Sequence, residues 1–142
     1  MLNYPLTFEA SASASKGWNT IWECKAGALP HILCAIPKEF NGPGGGYSPE
    51  DLIALAVLNC FIATFKVFAE KSNVEFKKIE GQSSMIIDRA KDKAPEITKI
   101  HMTFTLHGFI DREKILTLLE DAKKHCIIGN AVNAEKTYTF NL

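Results

Sequence analysis

Four cysteines, Cys24, Cys34, Cys60 and Cys126, are the residues best suited to do chemistry in this chain. They are widely scattered and form no CxxC pair, which argues against a zinc ribbon and against a dense disulfide scaffold. In a reducing compartment, a cysteine pair that matters is expected to be catalytic, because the thiolate is both nucleophile and exchange partner. Cys60 lies on a helical stripe with Ile53, Ala56, Val57, Thr64 and Val67, and Cys126 falls near the direction of Ile115 on a later helix. On placement alone, a cysteine on an apolar stripe is a small inert core residue more often than a nucleophile, and this holds for Cys60 and Cys126 alike. Cys24 and Cys34, in the early β region, are read as structural.

Other reactive side chains carry less. His101 and His107 share one face of an alternating strand with Thr103 and Thr105, and no carboxylate or cysteine stands at ligand spacing from them, so they are expected on a solvated face with no metal bound. Glu50 falls in the first turn of a helix, where its charge complements the dipole. The run from Asn41 to Gly46 lacks the Gly-Lys-Ser/Thr ending of a phosphate loop and reads as a flexible border to a site.

The elements that must position these groups follow from the pattern. Segments 6–15 and 18–36 read as extended, with Lys16 and Gly17 as the reversal between them. Ser48 supplies an N-cap, Pro49 the first helical position, and Asp51 a capping-box partner. The helix then runs from Leu52 to about Glu70, apolar almost all round, as expected of a central helix enclosed by protein. Strands follow over 74–88 and 97–107, with a charged loop between them. Asp111 caps a second helix with the stripe Ile115, Leu118, Leu119 and Ala122, and a last strand covers 136–142.

A length of 142 residues suits one α+β domain, 1–142, and sixteen acidic residues balance sixteen basic ones. That balance gives no general nucleic-acid footprint. No basic stretch followed by an apolar one opens the chain, and no segment reads as long enough to span a bilayer, so a soluble cytoplasmic protein is expected.

Taken in order, Ser48-Pro49-Glu50-Asp51-Leu52, Leu58-Asn59-Cys60-Phe61, and His125-Cys126 followed by Ala131-Val132 resemble the two cysteine motifs of the OsmC/Ohr family. The resemblance runs through essentially the whole chain. It implies a two-layer α+β fold with antiparallel sheets wrapped around central helices, in an intertwined homodimer. It also implies a thiol-dependent peroxidase that reduces organic hydroperoxides. Cys60 would be the peroxidatic residue, oxidised to a sulfenic acid, and Cys126 the resolving one, closing a disulfide that a lipoyl-type or small dithiol reopens. No metal, haem or flavin is implied.

Glu50 matches the family's glutamate that orients the cation serving the thiolate. On one straight helix Glu50 and Cys60 stand ~15 Å apart, so cooperation would need another element or a partner protomer to bring Glu50 in. The family's arginine in the N-terminal hairpin is replaced here by Ser15-Lys16-Gly17-Trp18-Asn19, and no arginine precedes Arg89. Lys16, Lys38, Arg89 and Arg112 are the available substitutes. Ile127 stands where the family commonly has proline. The alternative implied by the missing arginine is a protein of the same fold that senses redox state or binds small hydrophobic molecules.

Overall fold

The computed structural model describes residues 2–142. The chain divides into two compact units, Met1–Leu52 and Ile53–Leu142.

The N-terminal unit holds β1 (Ala10–Ser13), β2 (Trp22–Ala26) and β3 (Ile32–Cys34) in one antiparallel sheet of order β1-β2-β3. The extended segments anticipated from sequence are thus shorter, and 18–36 is two strands. Gly27 breaks it, with φ 52°, a left-handed conformation that glycine adopts freely, and Leu29 N–H closes the turn on the Ala26 carbonyl at 3.0 Å. The glycine loop departs from expectation in a different way. A Cβ at Gly46 would stand 2.9 Å from the Leu33 carbonyl oxygen, and one at Gly42 would run into the Ile36 carbonyl. The loop is therefore folded tightly against the chain around β3, and Gly42 and Gly46 serve close approach. It ends where Tyr47 pairs with Cys34 and Ser48 caps the next helix.

That helix, α1 (Pro49–Lys71), opens with a reciprocal capping box. Asp51 N–H donates to Ser48 Oγ at 3.0 Å, and Ser48 N–H donates to Asp51 Oδ2 at 2.9 Å. Most of α1 lies in the C-terminal unit, with β4 (Lys78–Asp88), β5 (Glu96–His107), α2 (Arg112–His125), α3 (Ile127–Ala131) and β6 (Glu135–Asn141). The sheet order is β4-β5-β6. β4 and β5 form an antiparallel hairpin, and β6 joins β5 in parallel after the crossover through α2 and α3.

The core follows from the periodicities. β5 turns Ile100, Met102, Phe104 and Leu106 inward, α2 contributes Ile115, Leu118, Leu119 and Ala122, and α1 contributes Val57, Phe61, Phe65 and Ala69. Phe61 stacks on Phe104 with centroids 4.0 Å apart. Gly81 lets α1 approach the sheet, since a Cβ there would meet Leu58 Cδ1 at 2.8 Å. On the opposite face His101 and His107 are exposed, held by Thr137 Oγ1 at 2.7 Å and Glu80 Oε2 at 2.8 Å.

Three expectations about α1 are corrected. The buried stripe is Val57, Phe61, Phe65 and Ala69, so Cys60 sits at its margin and Val67, 49% exposed, lies outside it. One face packs on the core while Leu55 and Val67 stay open, so the helix is not enclosed by this chain. It is also long and apolar enough, by length and composition, to cross a membrane, contrary to the reading that no segment is. Its central part is nevertheless tied to the sheet, Ser83 Oγ donating to the Ala54 carbonyl at 3.1 Å.

Candidate active site

The two free thiols, Cys60 and Cys126, meet in the C-terminal unit. α1 carries Cys60 between Val57 and Phe61, which anchor that turn in the core, and leaves the Cys60 side chain half-buried. The stripe of α2 brings the chain to Cys126, but the helix ends at His125 and does not continue through it as the periodicity suggested. Cys126 has extended dihedrals, φ −71° and ψ 102°, and is still only 3% exposed. The reason is local. Cys126 caps α3, its Sγ accepting from Gly129 N–H at 3.3 Å, which turns the side chain inward.

The same short helix serves both sulfurs. Ile128 N–H donates to Cys60 Sγ at 3.4 Å, one residue before the amide that serves Cys126. A Cβ at Gly129 would sit 3.1 Å from Cys126 Sγ, so glycine there permits the close approach.

Burial, and then the hydrogen bond to Cys60, push the Cys126 thiol up to about 11 from its ordinary 9.0, against the opposing pull of the Gly129 and Ile128 amides. Cys126 therefore keeps its proton at neutral pH. Tyr138 stands on the inner face of β6, its phenol raised first by burial and then by the neighbouring Cys126 and Glu120 charges. Lys123 Nζ lies 5.0 Å from the centre of that ring and 2.8 Å from Glu120 Oε2. Among the described residues no cation acts on the Cys126 thiol, and Lys16, Lys38, Arg89 and Arg112 are all exposed. Glu50 lies in the first turn of α1, in the N-terminal unit, with Oε2 buried and without a hydrogen-bond partner.

Ile128 and Tyr138 were not singled out by sequence reasoning. The inward alternation of Tyr138 with Phe140 was visible, but a backbone donor has no signature in side-chain type. The other pair also differs from expectation. Cys24 and Cys34 are joined in a disulfide across β2 and β3. They are structural as read, but scattered spacing hid their partnership, which depends on strand register: Trp22 lies opposite Cys34 and Cys24 opposite Ile32. Residues 22, 24 and 34 thus share one face, with the two cysteines on its diagonal.

This geometry can be set beside known proteins. The sequence pattern of the OsmC-like protein family matches residues 42–141. The uncharacterized protein YmaD of Bacillus subtilis (strain 168) is 33% identical over 102 residues, covering 69% of this chain and 68% of that protein. An OsmC-like protein of unknown function from Vibrio cholerae has a structure with TM-score 0.84 and 14% identity, over 96% of this chain and 99% of that one. A protein from Legionella pneumophila described as organic hydroperoxide resistance protein OsmC gives TM-score 0.81 and 20% identity, over 99% and 100%. At these identities the two structures establish the fold, a mixed α+β arrangement with two sheets. With the family pattern covering both cysteine motifs and the fold matching from end to end, the chain belongs to the OsmC-like family.

Proposed function

We propose that this protein is a thiol-dependent peroxidase acting on organic hydroperoxides. The observation that carries the reading is a pair of free thiols served by successive amides in unequal settings, Cys60 half-buried and accepting from Ile128 N–H, Cys126 buried and held protonated. The accessible member is suited to attack, and the shielded one to resolve. The Cys60 thiolate attacks the outer oxygen of the hydroperoxide, an S–O bond forms as O–O breaks, and the alkoxide takes up a proton and departs as an alcohol. Cys126 then attacks the Cys60 sulfenic sulfur, and its proton leaves with the displaced hydroxide as water. A dithiol of lipoyl or small-molecule type supplies the two electrons and two protons that reopen the disulfide. Thiol chemistry alone closes this cycle, without a cofactor.

Ile127 and Ile128, 77% and 39% exposed, flank the amide that reaches Cys60 and favour an alkyl or aryl peroxide over hydrogen peroxide. Glu50, whose Oε2 is buried without a partner, is suited to hold a cation or the substrate in a homodimer. The open apolar positions Leu55 and Val67 on α1 support such a dimer. The second reading, a redox sensor or binder of small hydrophobic molecules, is favoured by the lack of a cation acting on the Cys126 thiol among the described residues. Dithiothreitol-dependent consumption of cumene hydroperoxide beside hydrogen peroxide, with intact mass recorded after one equivalent, separates the two. Fast turnover with loss of two hydrogens per Cys60–Cys126 pair supports the peroxidase. Reduced thiols without turnover favour the sensor or binder.

A further inference from the structure

We propose that Cys24 and Cys34 form a second thiol–disulfide couple, whose closure holds the Tyr47–Glu50 segment in place and so sets the position of Glu50. The link to Glu50's role at the thiol site rests on the peroxidase reading above; the structural coupling does not.

Burial in the N-terminal unit identifies what the disulfide supports. The buried residues among those described there are Cys34, Ala35 and Ser48, at 2%, 0% and 2% exposure. So small a core gives the unit little hydrophobic support, and a covalent tie carries correspondingly more weight. β3 has only three residues and three register partners on β2, and the disulfide joins the last of them, Cys34, to Cys24.

From Cys34 a continuous set of hydrogen bonds leads to the helix start. Tyr47 N–H donates to the Leu33 carbonyl at 2.8 Å, and Ala35 N–H donates to the Tyr47 carbonyl at 3.1 Å, so the chain around Cys34 grips Tyr47 from both sides. Ser48 follows directly, exchanging its capping bonds with Asp51, and Leu52 N–H donates to the Ser48 carbonyl at 3.1 Å. Glu50 lies inside this box. Gly46 packs its backbone against Leu33 and Cys34 too closely to admit a Cβ, so a shift of β3 is passed to Tyr47. An edge strand this short, freed of its disulfide, opens at low cost and releases the cap it holds.

The couple is chemically closed. A small dithiol attacks the more exposed Cys24 sulfur, the Cys24–Cys34 bond breaks, and a second attack within the mixed disulfide yields the cyclic oxidised reductant and two protein thiols. In the other direction a hydroperoxide oxidises one thiol to a sulfenic acid with loss of alcohol, and the second thiol displaces water to form the bond.

The test uses full-length Cys60→Ser/Cys126→Ser, in which Cys24–Cys34 is the remaining couple, and reads amide hydrogen exchange with and without dithiothreitol. We expect the amides of Ala35, Tyr47, Asp51 and Leu52 to exchange ~10-fold faster or more on reduction, with Ile100–Leu106 unchanged, and protection to return with cumene hydroperoxide. Unchanged exchange at Tyr47–Leu52, loss of protection throughout the chain, or thiols that do not reoxidise would each overturn the proposal. For the link to Glu50, Cys24→Ser/Cys34→Ser should slow single-turnover oxidation of Cys60 by the same factor as Glu50→Gln, with no further loss when the changes are combined. Additive losses would overturn that link. If no variant reacts with peroxide, the peroxidase reading has failed, and the exchange experiment still decides the structural coupling.

Discussion

The backbone amide of Ile128 donates to Cys60 Sγ at 3.4 Å, across 68 residues of sequence. A thiolate accepts such a bond more strongly than a thiol does, so the amide is placed where it serves the Cys60 sulfur as it reacts. Ile128→Pro removes the donor at a position early in α3, where proline's fixed φ is tolerated. Ile128→Ala keeps the donor and removes the side chain. A hydrogen bond to a charged group contributes ~1.5–3 kcal/mol, so the proline variant should lose about tenfold or more in the rate of Cys60 alkylation at pH 7. Equal rates in the two variants would show that the amide does nothing for the thiolate.

Much of this site was legible in the sequence, and the missing parts have physical causes. The capping box at Ser48 and Asp51, the cap at Asp111 and the stripe from Ile115 to Ala122 are local patterns, and each formed as read. Cys60 and Cys126 were identifiable by their order and motifs. The Cys24–Cys34 bond was not, because it depends on the β2–β3 register, and neither was Ile128, whose contribution is its backbone. The enclosure of α1 was misjudged because hydropathy says a face avoids water without saying what covers it.

Unequal settings of the two thiols separate their substitutions. With Cys24–Cys34 kept closed in its disulfide, Cys60→Ser should abolish hydroperoxide consumption. Cys126→Ser should react once, with release of one alcohol, and then gain the mass of further oxygen atoms, because no resolving thiol captures the sulfenic acid. Intact mass after one and ten equivalents of cumene hydroperoxide reads both outcomes. Turnover by Cys60→Ser would assign the chemistry elsewhere.

Packing of α1 against the sheet depends on a missing side chain. Gly81→Ala places a Cβ 2.8 Å from Leu58 Cδ1 and 3.0 Å from Phe104 Cε1, and Phe104 is fully buried against Phe61. Replacing glycine by alanine gains ~0.4–1 kcal/mol from the unfolded chain where the site has room. Overpacking a full core costs ~1–3 kcal/mol, which is the larger effect at this position. The urea midpoint of Gly81→Ala should therefore fall with an unchanged slope. A rise would show that Leu58 swings aside freely.

Protonation of Cys126 ties stability to alkaline pH. Its folded-state pKa, about 11, lies above the ordinary 9.0, chiefly through burial and then through the bond to Cys60. The folded protein thus holds this proton more tightly than the unfolded chain does. That contribution is fully present below pH 9 and is lost as pH rises through 11. Tyr138 is also raised, so the effect must be read as a difference between proteins. Wild type should lose more stability than Cys126→Ala between pH 9 and 11, both measured by urea unfolding under reducing conditions. Iodoacetamide should label Cys60 first at pH 7.5 and reach Cys126 only as the pH climbs through that window, as peptide mass would show. Parallel stability curves for the two proteins, with Cys126 labelled readily at neutral pH, would mean that the thiol is neither shielded nor held protonated, and the division of roles between the two cysteines would fall with it.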